Sequence, residues 1–204
     1  NLGVELGFLN GMIDLQLDYF DERRKDIFMP RESVPMTAGF MKQPWKNFGK
    51  VTNQGVEVSL NVNKQFGKDL FVSLMGTFTY AHNEITEKDE PSAVVGTNRA
   101  ETGHPVGQLT GYIAEGLFTE DDFEDVSTGK LKEGIPTQSF VGKLRPGDIR
   151  YRDVNGDGKV DVFDKSPIGG TKDPEIVYGF GLNMKYKDLD FGALFQGIGR
   201  SWNI

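Results

Sequence analysis

Apolar and polar residues alternate with a period of two in six stretches of the chain. Val4, Leu6 and Phe8 alternate with Glu5 and Gly7, and Ile13, Leu15, Leu17 and Tyr19 with Asp14, Gln16 and Asp18. Val56, Val58, Leu60 and Val62 oppose Glu57, Ser59 and Asn61, while Val72, Leu74, Phe78 and Tyr80 oppose Ser73, Met75, Thr77 and Thr79. Tyr178, Phe180, Leu182, Met184 and Tyr186 form a fifth apolar row, and Leu189, Phe191, Ala193 and Phe195 a sixth. A period of two marks a strand with one apolar face. The pattern therefore predicts an all-β chain, an antiparallel meander with strands near 3–8, 12–24, 51–66, 70–85, 175–186 and 189–199.

The connections alternate in length. Asn10-Gly11 predicts a two-residue hairpin, because both residues accept positive φ; Gly67-Lys68-Asp69 and Lys187-Asp188 close the other two pairs. Between these turns lie long loops, 26–48 and 87–174. Compact soluble domains rarely hold loops beyond about 12–15 residues, whereas transmembrane barrels set short turns on one side against long loops on the other. The strands at 51–66 and 70–85 exceed the ~9–11 residues that cross a bilayer. Phe8, Tyr19, Phe20, Tyr80, Tyr178 and Tyr186 sit near strand ends, where interfacial girdles need aromatics. The pattern favours part of a transmembrane barrel, with Glu5, Asp14, Gln16, Glu57 and Asn61 facing a wet lumen. Six strands cannot close a wide barrel, so the chain would be a fragment of a larger one. The alternative is a soluble β-sandwich binding module with a calcium-stabilised loop, its apolar faces packed on each other.

Composition narrows the function. Lys and Arg number 23 against 30 Asp and Glu, a net charge of −7, which argues against nucleic acid as a partner. The absence of cysteine excludes disulfides, zinc–thiolate sites and thiol nucleophiles. No apolar run approaches the ~18 residues of a membrane-spanning helix, and the opening residues Asn1–Glu5 carry no recognisable signal peptide. Glycine is frequent, 26 of 204 residues, as turn-rich β structure requires.

One segment carries metal chemistry. Asp153, Asn155, Asp157, Lys159 (through its carbonyl), Asp161 and Asp164 fall at positions 1, 3, 5, 7, 9 and 12 of a calcium-type loop, with Gly158 at the sharp turn. Hard oxygen donors without His or Cys select Ca²⁺, expected here in a structural role. Val160, at position 8, should anchor the loop to a core. Asp164 replaces the usual bidentate Glu, and Ile149-Arg150-Tyr151 ahead of the loop reads as extended rather than helical. Elsewhere, 117–123 reads as a short helix capped by Thr119, with the acids from Glu120 to Asp125 on a solvated face. His82 and His104 lack partners at triad or metal spacing, and no phosphate loop is present. Trp45 and Trp202 read as interface anchors. No enzyme is expected.

The residues also resemble a family. Phe8-Leu9-Asn10-Gly11 leading to Asp18-Tyr19-Phe20 and Lys25-Asp26-Ile27, Asn53-Gln54-Gly55-Val56-Glu57-Val58, Gly103-His104-Pro105-Val106-Gly107 through Gly111-Tyr112 to Gly116-Leu117-Phe118, and Arg145-Pro146-Gly147-Asp148-Ile149-Arg150-Tyr151-Arg152-Asp153 are similar, in order, to the C-terminal part of the barrel in SusC/RagA-type TonB-dependent outer-membrane transporters. The likeness continues through Ile168-Gly169, Pro174 and Tyr178-Gly179-Phe180 to Phe195-Gln196-Gly197. It implies a barrel of about 22 strands in the outer membrane, with the plug domain and terminal strands outside this chain. It further implies a SusD-like surface lipoprotein as partner, energy from TonB, and import of oligosaccharides or peptides. The long loops would be extracellular and line the lipoprotein interface and substrate cavity.

Overall fold

The computed structural model describes residues 1–203. Four long strands come first: β1 (Leu2–Phe8), β2 (Ile13–Pro30), β3 (Trp45–Phe66) and β4 (Leu70–Glu87). Eight short ones follow: β5 (Gln108–Gly111), β6 (Ala114–Leu117), β7 (Phe123–Asp125), β8 (Lys130–Leu131), β9 (Thr137–Gln138), β10 (Ile149–Tyr151), β11 (Lys159–Val160) and β12 (Ser166–Thr171). β13 (Ile176–Tyr186) and β14 (Leu189–Gly199) end the chain. The six long strands form one antiparallel sheet in the order β1-β2-β3-β4-β13-β14. The sheet is all-β, a meander, and open, with β1 and β14 at its edges.

Register turns the alternation into a belt. Leu6, Leu15, Leu60, Gly76, Phe180 and Phe195 lie side by side across all six strands, and the next row is Val4, Leu17, Val58, Phe78, Tyr178 and Gly197. On β4 the apolar rows run from Leu70 to Tyr80. At ~3.3 Å per residue that is about 33 Å of strand, or about 23 Å of height at a 45° tilt, close to the thickness of a lipid-facing apolar band. Tyr19 and Tyr80 bound one edge and Tyr186 the other. The belt has no cover: Phe180 and Phe195 stack at 4.9 Å yet remain 53% and 57% exposed. The buried apolar residues Ile85, Phe118, Phe123, Leu144 and Val160 all lie beyond the belt, at the long-loop end. Among the described residues no second sheet packs on these strands, which overturns the sandwich alternative.

The opposite face carries Glu5, Gln16, Ser59 and Thr77 in one row and Asp18, Glu57 and Thr79 in the next. It is less uniformly polar than the pattern implied. Met75 and Leu194 flank Gly181 on this side, where an added Cβ would lie 2.9 Å from Met75 Cγ and 3.4 Å from Leu194 Cδ1.

The short turns differ in detail from expectation only at the first. Asn10 and Gly11 are both left-handed (φ 57° and 80°) and Met12 N–H donates to Leu9 C=O at 3.3 Å. Leu9 is left-handed too (φ 54°), so strand pairing stops at Phe8↔Ile13 and the connection has four residues. Phe66↔Leu70 and Tyr186↔Leu189 close over the expected three- and two-residue turns.

At the other end β2 and β3 continue as a paired ribbon to Pro30↔Trp45, through register shifts around Ile27 and a left-handed Asp26 (φ 56°). The first long loop is therefore 31–44, shorter than the expected 26–48. Trp45 lies eleven positions from Val56 in the top row of the belt, paired with Phe28 at 5.1 Å. Trp202 covers Gly169 and Gly170 of β12, where an added Cβ would come within 2.8 and 2.7 Å of the indole. Neither Trp anchors the belt, correcting that expectation.

Two charged clasps fasten the loops to the strand tops. Arg31 Nε donates to Asp89 Oδ2 at 2.9 Å, and Ser33 Oγ donates to Asp89 Oδ1 at 2.8 Å. These bonds tie the first loop to the start of the second. Asp89 is 6% exposed; burial pushes its carboxyl up, but the bonds from Arg31 and Ser33 outweigh that and hold it below the usual carboxylate value. The second clasp joins His82 and Arg200 through Glu175, at 2.5 and 3.2 Å.

Two outcomes follow from these contacts. An added Cβ at Gly55 would lie 2.2 Å from the Tyr80 carbonyl and 2.3 Å from Phe20 Cζ, whereas one at Gly76 would meet nothing within 4 Å. Gly55→Ala should cost about 1–3 kcal/mol and Gly76→Ala almost nothing; urea titration of the detergent-folded barrel reads both, and equal midpoints would contradict the packing. At Asp89 the folded pKa lies below the unfolded one. The clasp is thus fully present above about pH 4 and is lost as pH falls through the lower folded value. Deuterium uptake across 31–44, corrected for intrinsic rate, should rise once the pH falls below the ordinary carboxylate range, and Asp89→Asn should raise it at pH 7 by weakening docking by about 1–3 kcal/mol. Unchanged uptake in both would remove the clasp.

Candidate functional site

The second long loop, 88–175, folds around small cores of its own. Phe118, Phe123 and Leu144 form one, with Leu131, Ile135 and Val141 packed against it. Thr119 caps a single 3-10 turn, Glu120–Asp122; its N–H and Oγ1 both donate to Asp122 Oδ2, at 2.6 and 2.9 Å. Backbone and hydroxyl bonds from Thr119 lower the Asp122 carboxyl, so the acids here are caps as well as a solvated face. Tyr112, Phe140 and Tyr151 form an aromatic trio with centroids 4.5, 5.5 and 5.7 Å apart.

The acidic loop follows β10 and ends in the 3-10 turn Val162–Asp164. Ile149–Tyr151 is a strand, as expected, so no helix precedes it. Asp153 gathers the first half: Oδ1 accepts Gly156 N–H at 2.7 Å and Oδ2 accepts Gly158 N–H at 2.8 Å. Asn155 Oδ1 accepts Asp157 N–H at 3.0 Å, and Asp157 Oδ1 accepts Lys159 N–H at 2.9 Å. Gly156 and Gly158 both take positive φ (75° and 83°), which lets the chain reverse there.

Asp164 closes the second half. It is wholly buried, and accepts Val154 and Asn155 N–H on Oδ1 at 2.8 and 3.3 Å and Asp161 N–H on Oδ2 at 2.7 Å. Val160 is wholly buried too, as the loop anchor should be, and β11 pairs in parallel with β9. Thr137 and Ser139 use the carbonyls of Gly158 and Val160 at 3.1 and 3.0 Å. Strand alternation points the intervening Lys159 carbonyl to the other edge. Burial, then the charges of Asp161 and Asp164, push the Tyr112 hydroxyl up, which links the loop to the aromatic trio.

The six sequence-predicted residues thus share one loop, organised by backbone N–H groups. Among the described residues, no three Asp, Glu, His or Cys side chains converge as a metal-holding cluster. The donor chemistry nevertheless fits Ca²⁺. A carboxylate offers about four acceptor sites. Asp153 uses two and Asp164 three, while Asp157 uses a second for Asn155 Nδ2 at 3.2 Å. Each retains capacity for a cation. Asp164 acts first as the bolt of the loop, a role that its position in the pattern did not reveal. Other groups escaped sequence reading: Arg31 with Asp89, His82 with Glu175, and Arg99 and Lys165 beside the loop. Their partners lie 58 and more residues away or across a fold not visible in the pattern.

Known proteins place this architecture. The family described as TonB dependent receptor-like, beta-barrel, matches residues 1–192. The TonB-dependent receptor SusC of Bacteroides thetaiotaomicron is 28% identical over 196 residues, covering 94% of this chain and 18% of its own. A TonB-dependent receptor of Formosa agariphila is 24% identical over 207 residues, covering 96% and 19%. The structure of the RagAB peptide transporter superposes with a TM-score of 0.63 at 22% identity over 96% of this chain and 20% of its own. The RagAB peptide importer in its open-open state gives 0.66 at 23% over 98% and 20%. These structures share the fold, and the chain spans about one-fifth of the relatives' length. Because the family match begins at the first residue and runs into the sixth long strand, the chain belongs to the TonB-dependent receptor β-barrel family.

Proposed function

We propose that the chain forms part of the wall and the outer loops of an outer-membrane importer that works with a SusD-like surface lipoprotein and draws energy through TonB. The observation that carries this reading is the uncovered apolar belt, about 23 Å high, on a sheet whose family is that of TonB-dependent receptors. The 31–44 and 88–175 loops are extracellular on this reading, because in outer-membrane barrels the long loops face outward and the short turns face the periplasm. The imported substrate is an oligosaccharide or a peptide, the two classes that the resemblance to SusC/RagA-type transporters implies; the likeness to the RagAB peptide transporter favours the second. Calcium in the acidic loop, held by Asp153, Asn155, Asp157, the Lys159 carbonyl, Asp161 and Asp164, would stiffen a segment with little core. Extracellular sites of ~10⁻⁴–10⁻³ M fill at millimolar calcium.

Two experiments test the reading. The intact protein, extracted from outer membranes in mild detergent, should run as a heat-modifiable band with a surface lipoprotein beside it, and substrate uptake should cease in cells lacking TonB. A soluble product without the lipoprotein, or uptake indifferent to TonB, would sink it. For the metal, calcium titration of the intact protein should show a site that the Asp153→Ala, Asp157→Ala variant lacks, and chelation should open 150–165 to protease. Equal, weak binding by both proteins would eliminate the site.

A further inference from the structure

A cleft of about 330 Å³ lies between segment 99–110 and segment 162–167, which leaves the acidic loop. Its walls are braced. Asn98 Nδ2 donates to the carbonyls of Phe163 and Lys165 at 2.9 and 2.7 Å, and the β5–β12 ladder pairs Gly111 with Ser166 and Thr110 with Pro167. Ile85 N–H donates to His104 C=O at 2.9 Å and Gly103 N–H to Ile85 C=O at 2.8 Å, which seats the floor on β4. The cleft is thus formed before any ligand arrives.

Its electrostatics are the reverse of the chain's. Arg99 lies over the Phe163 ring, 4.6 Å from the centroid, which orients the guanidinium without neutralising it. Lys165 sits 5.7 Å from the Tyr112 centroid. Among the described residues neither cation has a carboxylate within ion-pair distance. The one acid in the lining, Glu101, is held by Lys88 at 2.6 Å. Asp164, next to Lys165, has its carboxylate bonded within the acidic loop. Two uncompensated cations in a recess of a chain with net charge −7 concentrate field where an anion can enter.

We infer that this cleft binds a small carboxylate ligand, with the carboxylate between Arg99 and Lys165 and the polar remainder against Gln108 and Thr110. Gln108 Nε2 donates to the Leu109 carbonyl at 2.9 Å, leaving the amide oxygen to accept from a hydroxyl or amide. The carboxylate can come from an acidic sugar unit or from an acidic amino acid. As a substrate contact the site rests on the import reading; as a binding site it does not.

Calorimetric titration of the intact complex at low salt, with glucuronate, N-acetylglutamate, glucose, N-acetylglutamine and acetate as separate probes, tests it. At least one acid should bind, its neutral counterpart about tenfold or more weakly, and the Arg99→Gln, Lys165→Gln variant should lose the acid by a similar factor while its band stays heat-modifiable. The acid that wins identifies the source. Binding of the neutral counterpart as tightly as the acid, full binding by the variant, or no heat from either acid would overturn the inference. Acetate as tight as both acids would reduce the cleft to an anion hole and overturn it too. Should the variant fail to fold, about 0.5 M NaCl on the unaltered complex decides: acid binding that does not weaken contradicts the site. Uptake that persists in the variant leaves the import reading standing, and failed TonB-dependent uptake leaves the titration valid.

Discussion

In hydrocarbon a backbone N–H or C=O without a partner costs several kcal/mol, and no water is available to supply one. The rest of this structure depends on that constraint. β2, β3, β4 and β13 are each paired on both sides through the belt, while β1 and β14 are paired on one side. A lipid-facing sheet of this kind is stable only when further strands continue it from both edges, so closure into a barrel is a physical requirement. The same constraint explains why the belt needs no core. Its side chains are apolar because their solvent is lipid, and the residues that do bury one another belong to the loops, where water returns.

Most of the wall was legible in the sequence, for one reason. A strand between lipid and a wet lumen must alternate, and Val4 to Phe8, Val56 to Val62 and Tyr178 to Tyr186 do so cleanly. Legibility ends where the lipid ends. Between Asp21 and Asp26 the β2 strand carries charge on both faces, because both faces are wet there; the pattern vanishes although the pairing continues to Pro30↔Trp45. The Trp residues misled for the same reason: Trp45 lies on the ribbon above the belt and Trp202 packs on a glycine pair. The short strands of the second loop, two to six residues long, show no period at all.

The site was legible where its logic is local. The acidic loop is a twelve-residue unit whose oxygens and glycines stand at fixed offsets, and Val160 is buried where the offset requires. Long-range chemistry was not. The Arg31–Asp89 and His82–Glu175 clasps join residues that only the fold brings together, and only the fold sets Arg99 and Lys165 in one cleft. These contacts make the loops ordered platforms fixed to rigid strands, as recognition needs. Members of the family are receptor-transporters rather than enzymes, and a wall bearing ordered loops is the part such a protein requires.

In this architecture one face of the sheet meets lipid and the other meets water. The chain has no native cysteine, so single cysteines at Leu60 and at its neighbour Ser59 can carry spin labels in the barrel reconstituted in bilayers. The label at 60 should collide with oxygen dissolved in the hydrocarbon and be shielded from a water-soluble nickel chelate, while the label at 59 should show the opposite. Equal accessibility to the chelate at both positions would contradict it.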